Sequence, residues 1–237
     1  MLFVFKKSRF ILFFLVLSLV VFGCGILKSV VLSDKETFVP SEGRTIIIDA
    51  GHGFPDGGAV GNTGILEKDL NLSVARALQK FFESGGTNVI LTRSDDNGIY
   101  DVSGNIKNKK VSDIKNREEI INESNADLFI SIHMNKFLQN QYSGPQVFYS
   151  KNHKHSELLA DCIQKSMIAA LNPENKREIK AANNDIYLLQ HAYIPAVLVE
   201  CGFLSNKEEE QKLIDEKYQK QVAWSIYCGI IEYFNEK

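Results

Sequence analysis

Three short apolar runs constrain this chain more than any other feature: residues 46–48, 128–132 and 196–199. Each has strand length, is rich in β-branched residues and lacks the polar alternation of a half-exposed strand. Runs of that kind are buried on both faces, as in a parallel sheet covered by helices. Each run also leads to a residue that carries chemistry. The first breaks at Gly51 and delivers His52, the second ends at His133, and the third ends at Glu200. In a parallel sheet the carboxyl ends of the strands share one edge, and α/β proteins build their sites there.

Between the runs the sequence reads as helices and loops. Six glycines follow or flank His52 before Glu67, so that loop can fold tightly and bring its ends together. Residues 68–84 carry Leu70, Val74, Ala77, Leu78 and Phe81 at a helical period, and Gly85-Gly86 closes the helix. Residues 88–92 form a strand, 93–110 a long polar loop, and Ser112-Asp113 can cap a helix running to Glu123. Residues 146–149 suit an edge strand and 156–171 an amphipathic helix. A polar loop, 172–185, leads to residues 186–189, and two helices, 206–214 and 217–234, close the chain. The expected fold is α/β: a single domain over residues 44–237, with a twisted, mostly parallel mixed sheet covered by helices on both faces. No internal repeat or second module is evident.

The first 32 residues are different. Lys6, Lys7 and Arg9 precede an apolar run over residues 10–22, the pattern of a secretory signal or a membrane anchor. Val21-Phe22-Gly23-Cys24 resembles a lipobox, which would lipidate Cys24, although Phe22 is bulky for that motif. Residues 33–43 are polar and read as a linker. The bulk of the protein is therefore expected outside the cytoplasm, tethered to the membrane or secreted. A net charge of −2 offers no basic surface for nucleic acid. Cys162, Cys201 and Cys228 are scattered and odd in number, so they read as buried thiols, not a disulfide framework.

Two histidines and a glutamate, His52, Glu67 and His133, form a set that suits zinc in a hydrolase, where three protein ligands leave one position open. Such an ion polarises a carbonyl and brings the pKa of water toward about 7. Glu200 is the candidate to move the proton. Singly these residues are ambiguous: a histidine at a strand end is often structural, and Glu67 could serve only the helix dipole. Glu200 is harder to dismiss, because a carboxylate at the end of a buried strand needs a partner, a metal or a proton. Asp49 could orient a metal-bound histidine or cap a turn. His153, His155 and His191 lie in polar loops and read as surface residues.

The motifs D-A-G-H-G at 49–53, G-x-x-E-K-D at 64–69, L-T-R at 91–93, A-D-L-F-I-S-I-H-M-N at 126–135 and P-A-V-L-V-E-C-G-F-L-S-N at 195–206 resemble the zinc-dependent N-acetylmuramoyl-L-alanine amidases. The resemblance spans residues 44–234. It implies zinc at His52, Glu67 and His133, catalysis by Glu200, and peptidoglycan as substrate. The bond cut would be the amide between N-acetylmuramic acid and L-alanine of the stem peptide. The phrases P-D-G-G-A-V-G at 55–61 and D-I-Y-L-L-Q at 185–190 resemble the germination-specific, spore-cortex branch, which prepares muramic-δ-lactam. Ala50 and Phe54 depart from residues common in the family at positions that supply no ligand. Three other readings stand beside this one: a zinc carboxypeptidase using Arg93 or Arg117 to hold a free carboxylate, a vegetative wall autolysin, and a non-catalytic wall-binding protein.

Overall fold

β1 (Thr45–Ala50) opens the sheet, and its three isoleucines are fully buried. It pairs in parallel with β2 (Asn88–Leu91) on one side and β3 (Leu128–Asn135) on the other. β6 (Ala196–Phe203) lies parallel to β3, with His133 opposite Glu200 in the register. β4 (Gln146–Tyr149) runs antiparallel to β6, and the two-residue β5 (Lys180–Ala181) pairs with it in parallel. The order is β2-β1-β3-β6-β4-β5, a mostly parallel mixed sheet. The computed structural model describes residues 39–237, so the expected leader and anchor over 1–32 lie outside the described residues. Among the described residues no helix is long and apolar enough to cross a membrane.

Both faces of the sheet are covered. Helices α1 (Glu67–Ser84), α3 (Ser156–Leu171) and α6 (Glu216–Glu236) pack on one face. There Ile46, Ile48, Leu128, Ile130, Val197 and Val199 meet Val74, Leu78, Ile163 and Ile230. The opposite face carries the smaller cluster of Ile47, Phe129, Ala196 and Leu198. It is covered by α2 (Ile106–Glu123) through Ile121 and by α4 (Tyr187–His191) through Leu189. α5 (Lys207–Ile214) follows β6, with the Asn206 side chain accepting from Glu208 and Glu209 backbone N–H groups. Burying an aliphatic side chain contributes roughly 1.5–3 kcal/mol, so the two clusters supply most of the drive to this layered arrangement.

Several sequence expectations are corrected. α2 begins at Ile106, capped by the Asn105 side chain, and not near Ser112. Its first turns hold Lys107, Lys109 and Lys110, and so polar a start leaves no apolar period to read. β4 is not the sheet edge, because β5, inside the expected loop over 172–185, adds one more short strand. Residues 187–191, to which the sequence assigned no element, form the short helix α4. Residues 39–43 are already part of the folded unit: Ser41 is fully buried and bonds the Thr87 hydroxyl.

Candidate metal centre

The parallel order of β1, β3 and β6 brings His52, His133 and Glu200 to one end of the sheet. Side chains alternate along a strand, so Asp49, Ser131, His133 and Glu200 share the face that also carries Ile47, Phe129 and Leu198. His52 lies two residues beyond β1 in a left-handed conformation, φ 63°. Glu67 is the first residue of α1. Backbone carbonyls of Ala59 and Gly57 accept from the Glu67 and Lys68 N–H groups, so the glycine loop itself caps this helix.

The ligand atoms offered by His52, Glu67 and His133 all lie within 4.8 Å of one another. His52 Nε2 is 3.2 Å from Glu67 Oε2, and His133 Nδ1 is 3.0 Å from Glu67 Oε1. The Glu67 carboxylate also accepts from Ala59 N–H at 2.8 Å and Met134 N–H at 3.1 Å. Burial alone would raise its pKa, but hydrogen bonds from His133 and His52 hold it well below the carboxylate range. Burial likewise opposes the charge on His52, yet Asp56 and Glu67 lift it to about 9. Two imidazoles leaning on one buried carboxylate show how strongly this pocket favours positive charge, and two nitrogens plus an oxygen suit a zinc-like cation. Glycine makes the approach possible. A Cβ at Gly51 would collide with the His133 ring, and one at Gly58 would stand 2.6 Å from Glu67 Oε2 and 2.7 Å from His52 Cδ2.

Glu200 completes the group. The residue is partly buried, but its Oε2 is shut off from solvent and has no hydrogen-bond partner. Burial, with the Glu67 charge adding to it, pushes the carboxyl up to about 7. A carboxyl in that state can hold or release a proton near neutral pH. Cys201, next in the chain, points to the opposite core, and burial pushes its thiol well above the ordinary range.

Two functional arrangements escaped the sequence. Asp56 Oδ2 sits 3.0 Å from His52 Nδ1 and turns the other ring nitrogen toward Glu67; Lys110 holds its second oxygen at 2.7 Å. Asp56, and not Asp49, is therefore the carboxylate that orients a candidate ligand histidine. Asp49 instead accepts from Thr92 and Ser131 and pairs with Arg117. Arg117, 2% exposed, also donates to the Ala50 and His52 carbonyls and to Asp113. Arg93 donates to the Ala50, Gly51, Lys68 and Asp95 carbonyls. Both arginines are consumed in holding the histidine loop, so neither is free to grip a substrate carboxylate as the carboxypeptidase reading needs. The D-A-G-H-G and L-T-R motifs contained this arrangement, but nothing local in them paired the groups. His153, His155 and His191 stand outside the site; His191 stacks on Tyr187 at 4.0 Å.

A cleft of about 490 Å³ opens beside His52 and His133, lined by Tyr100, Ile106, Lys107, Val111 and Leu188 among others. The family model described as N-acetylmuramoyl-L-alanine amidase matches residues 46–232. The germination-specific N-acetylmuramoyl-L-alanine amidase of Bacillus subtilis (strain 168) is 40% identical over 204 residues, covering 86% of this chain and 85% of that protein. Among solved structures, the CwlD amidase from Clostridioides difficile, determined in complex with the GerS lipoprotein, superposes with a TM-score of 0.79 at 45% identity, covering 82% of this chain and all of that one. An N-acetylmuramoyl-L-alanine amidase from Clostridium difficile 630 gives 0.71 at 33% identity, covering 82% and 98%. The chain belongs to the N-acetylmuramoyl-L-alanine amidases, hydrolases that act on peptidoglycan.

Proposed function

We propose that this amidase is a zinc enzyme, with His52, Glu67 and His133 as the metal ligands and Glu200 as the general base and acid, and that it works in maturation of the spore cortex. A zinc ion held there would polarise the amide carbonyl and make water a nucleophile near neutral pH. The observation that carries the reading is the Glu200 Oε2: buried, unpartnered, and at the same strand end as the three converging ligand atoms. Glu200 takes a proton from the attacking water and delivers it to the departing nitrogen of L-alanine. Asp56 keeps His52 oriented, and Arg117 and Arg93 keep the 50–52 backbone in place.

The cleft supports a stem peptide as the substrate side, since Ile106, Val111 and Leu188 suit alanine methyl groups and Lys107 suits a peptide carboxylate. The 40% identity to a germination-specific relative supports the spore-cortex role over a vegetative one. The structural relative solved with a lipoprotein supports a partner of that kind here. The basic residues and apolar run over 6–22 support an extracytoplasmic, tethered location.

Zinc content and the products released from purified peptidoglycan, measured on one preparation, test the proposal. Intact stem peptides beginning with L-alanine, released only by protein that holds zinc, are expected. Release of terminal D-amino acids, or full turnover after the metal is stripped, would sink it.

A further inference from the structure

The end of the molecule away from the catalytic centre carries an aromatic cluster that the chemistry does not use. α1 and α6 run side by side in the same direction. Ser73 Oγ donates to Gln219 Oε1 at 2.5 Å near their beginnings, and Phe81 meets Trp224 and Tyr227 further along, with centroids 5.1 and 6.0 Å away. Trp224 stacks on Tyr227 at 5.3 Å and remains 49% exposed. It is the one tryptophan of the chain. Glu67 begins α1, and at 1.5 Å per residue Phe81 lies about 21 Å along the helix axis from it. The groove between the helices is graded in charge. Asp69 and Glu216 line it near the catalytic end, and Lys80 and Lys220 line it further along.

The chain enters the described domain at this same end. Val39 and Tyr227 both flank Gly85: a Cβ added there would lie 3.3 Å from Val39 Cγ1 and 3.5 Å from the Tyr227 hydroxyl. From Val39 the chain turns directly into the beginning of β1. Residues 23–38 join the apolar run over 10–22 to Val39, so the expected tether meets the domain beside Tyr227 and not at the catalytic end. That attachment makes the end bearing the aromatic cluster the one that the tether draws to the bilayer first. Tryptophan and tyrosine favour the headgroup layer, where the ring leaves water while the N–H or O–H stays solvated. Lysine stems can lie along that layer with their charges on anionic headgroups.

We propose that the face formed by Phe81, Trp224 and Tyr227 rests on the lipid surface, so that the metal centre points away from the membrane toward the wall. The inference rests on the tethered location proposed above and not on the amidase chemistry. The test reconstitutes the full chain in vesicles of phosphatidylcholine and phosphatidylglycerol whose acyl chains are brominated near the headgroup. Trp224, as the one tryptophan, should shift to the blue and lose emission relative to vesicles without bromine. Trp224→Phe combined with Leu138→Trp moves the reporter to the fully exposed Leu138 position, beyond β3 at the catalytic end; its emission should be unchanged. Unquenched Trp224, quenching of both reporters, quenching of position 138 alone, or failure of the full chain to associate with the vesicles would each overturn the proposal. Because no outcome depends on turnover, an inactive protein would leave this test intact.

Discussion

At the scale of single residues, the centre depends on side chains whose charge is set by a neighbour. Glu200 is held near neutrality by burial, so its isosteric amide separates binding from chemistry. Glu200→Gln should keep its zinc while turnover falls by about 10²–10⁴-fold, the usual share of a general acid–base group. Metal content and the rate of stem-peptide release check this, and near-normal turnover with metal in place would remove Glu200 from the reaction. The raised pKa also has a stability consequence. The folded carboxyl titrates near 7 against 4.5 in its ordinary state, so the metal-free fold loses stability as pH rises through that window. Metal-free Glu200→Gln should therefore melt above the parent at pH 8, and the gap should close toward pH 5. Asp56 acts one bond further out, through His52 Nδ1. Asp56→Ala frees the ring to rotate and should weaken zinc affinity by about 10–100-fold without disturbing the cores. Competition against a chelator measures it, and unchanged affinity would show that the His52 loop holds itself.

At the scale of elements, α2 is the clamp that joins the sheet to the histidine loop. Arg117 reaches from its middle to Asp49, Asp113 and the carbonyls of Ala50 and His52. Removing the guanidinium leaves the Asp49 carboxyl, 1% exposed, without its cation. Arg117→Ala should cost about 3–5 kcal/mol, the range for breaking a buried pair from one side. Denaturant titration measures this, and a loss below about 1 kcal/mol would mean that water or Thr92 replaces the arginine. Arg117→Lys should recover only part of the loss, because one ammonium cannot span the carboxylate and two carbonyls as a planar fork does. The early start of α2 matters for the same reason: its lysine-rich first turns bring Lys110 to Asp56 and line the cleft. A polar helix face of this sort has no apolar period, whereas α1, α3 and α6 announce themselves through residues that must meet a core.

At the scale of the whole molecule, the proposed zinc site would link metal, protons and folding. In the metal-free protein His52 holds its proton up to about pH 9. Its pairing with Asp56 and Glu67 therefore stabilises the fold fully below pH 6.5 and fades as pH rises toward 9. Zinc needs the neutral ring, so uptake at pH 7 should release a proton, and apparent affinity should climb between about pH 6.5 and 9. Calorimetry in two buffers of different ionisation enthalpy reads that proton directly; its absence would argue against His52 as a ligand. Saturating metal at a hundred times its Kd should add about 2.7 kcal/mol to the fold, and a chelator should remove it. The sequence alone determined the layered α/β class, the three buried strands, the convergence of His52, Glu67, His133 and Glu200, and the apolar amino terminus. Apolar runs, helical periods and strand-end residues are local facts, and a parallel sheet then leaves one edge on which the chemistry can meet. Only the tertiary structure decided that Asp56 and not Asp49 orients His52, that Arg93 and Arg117 are spent on backbone carbonyls, and that β5 covers β4. Polar groups have many partners of equal chemistry, and the choice falls to those that folding places within 3 Å. Arg117 and the His52 carbonyl stand 65 residues apart in the chain, and no local pattern marks them as neighbours.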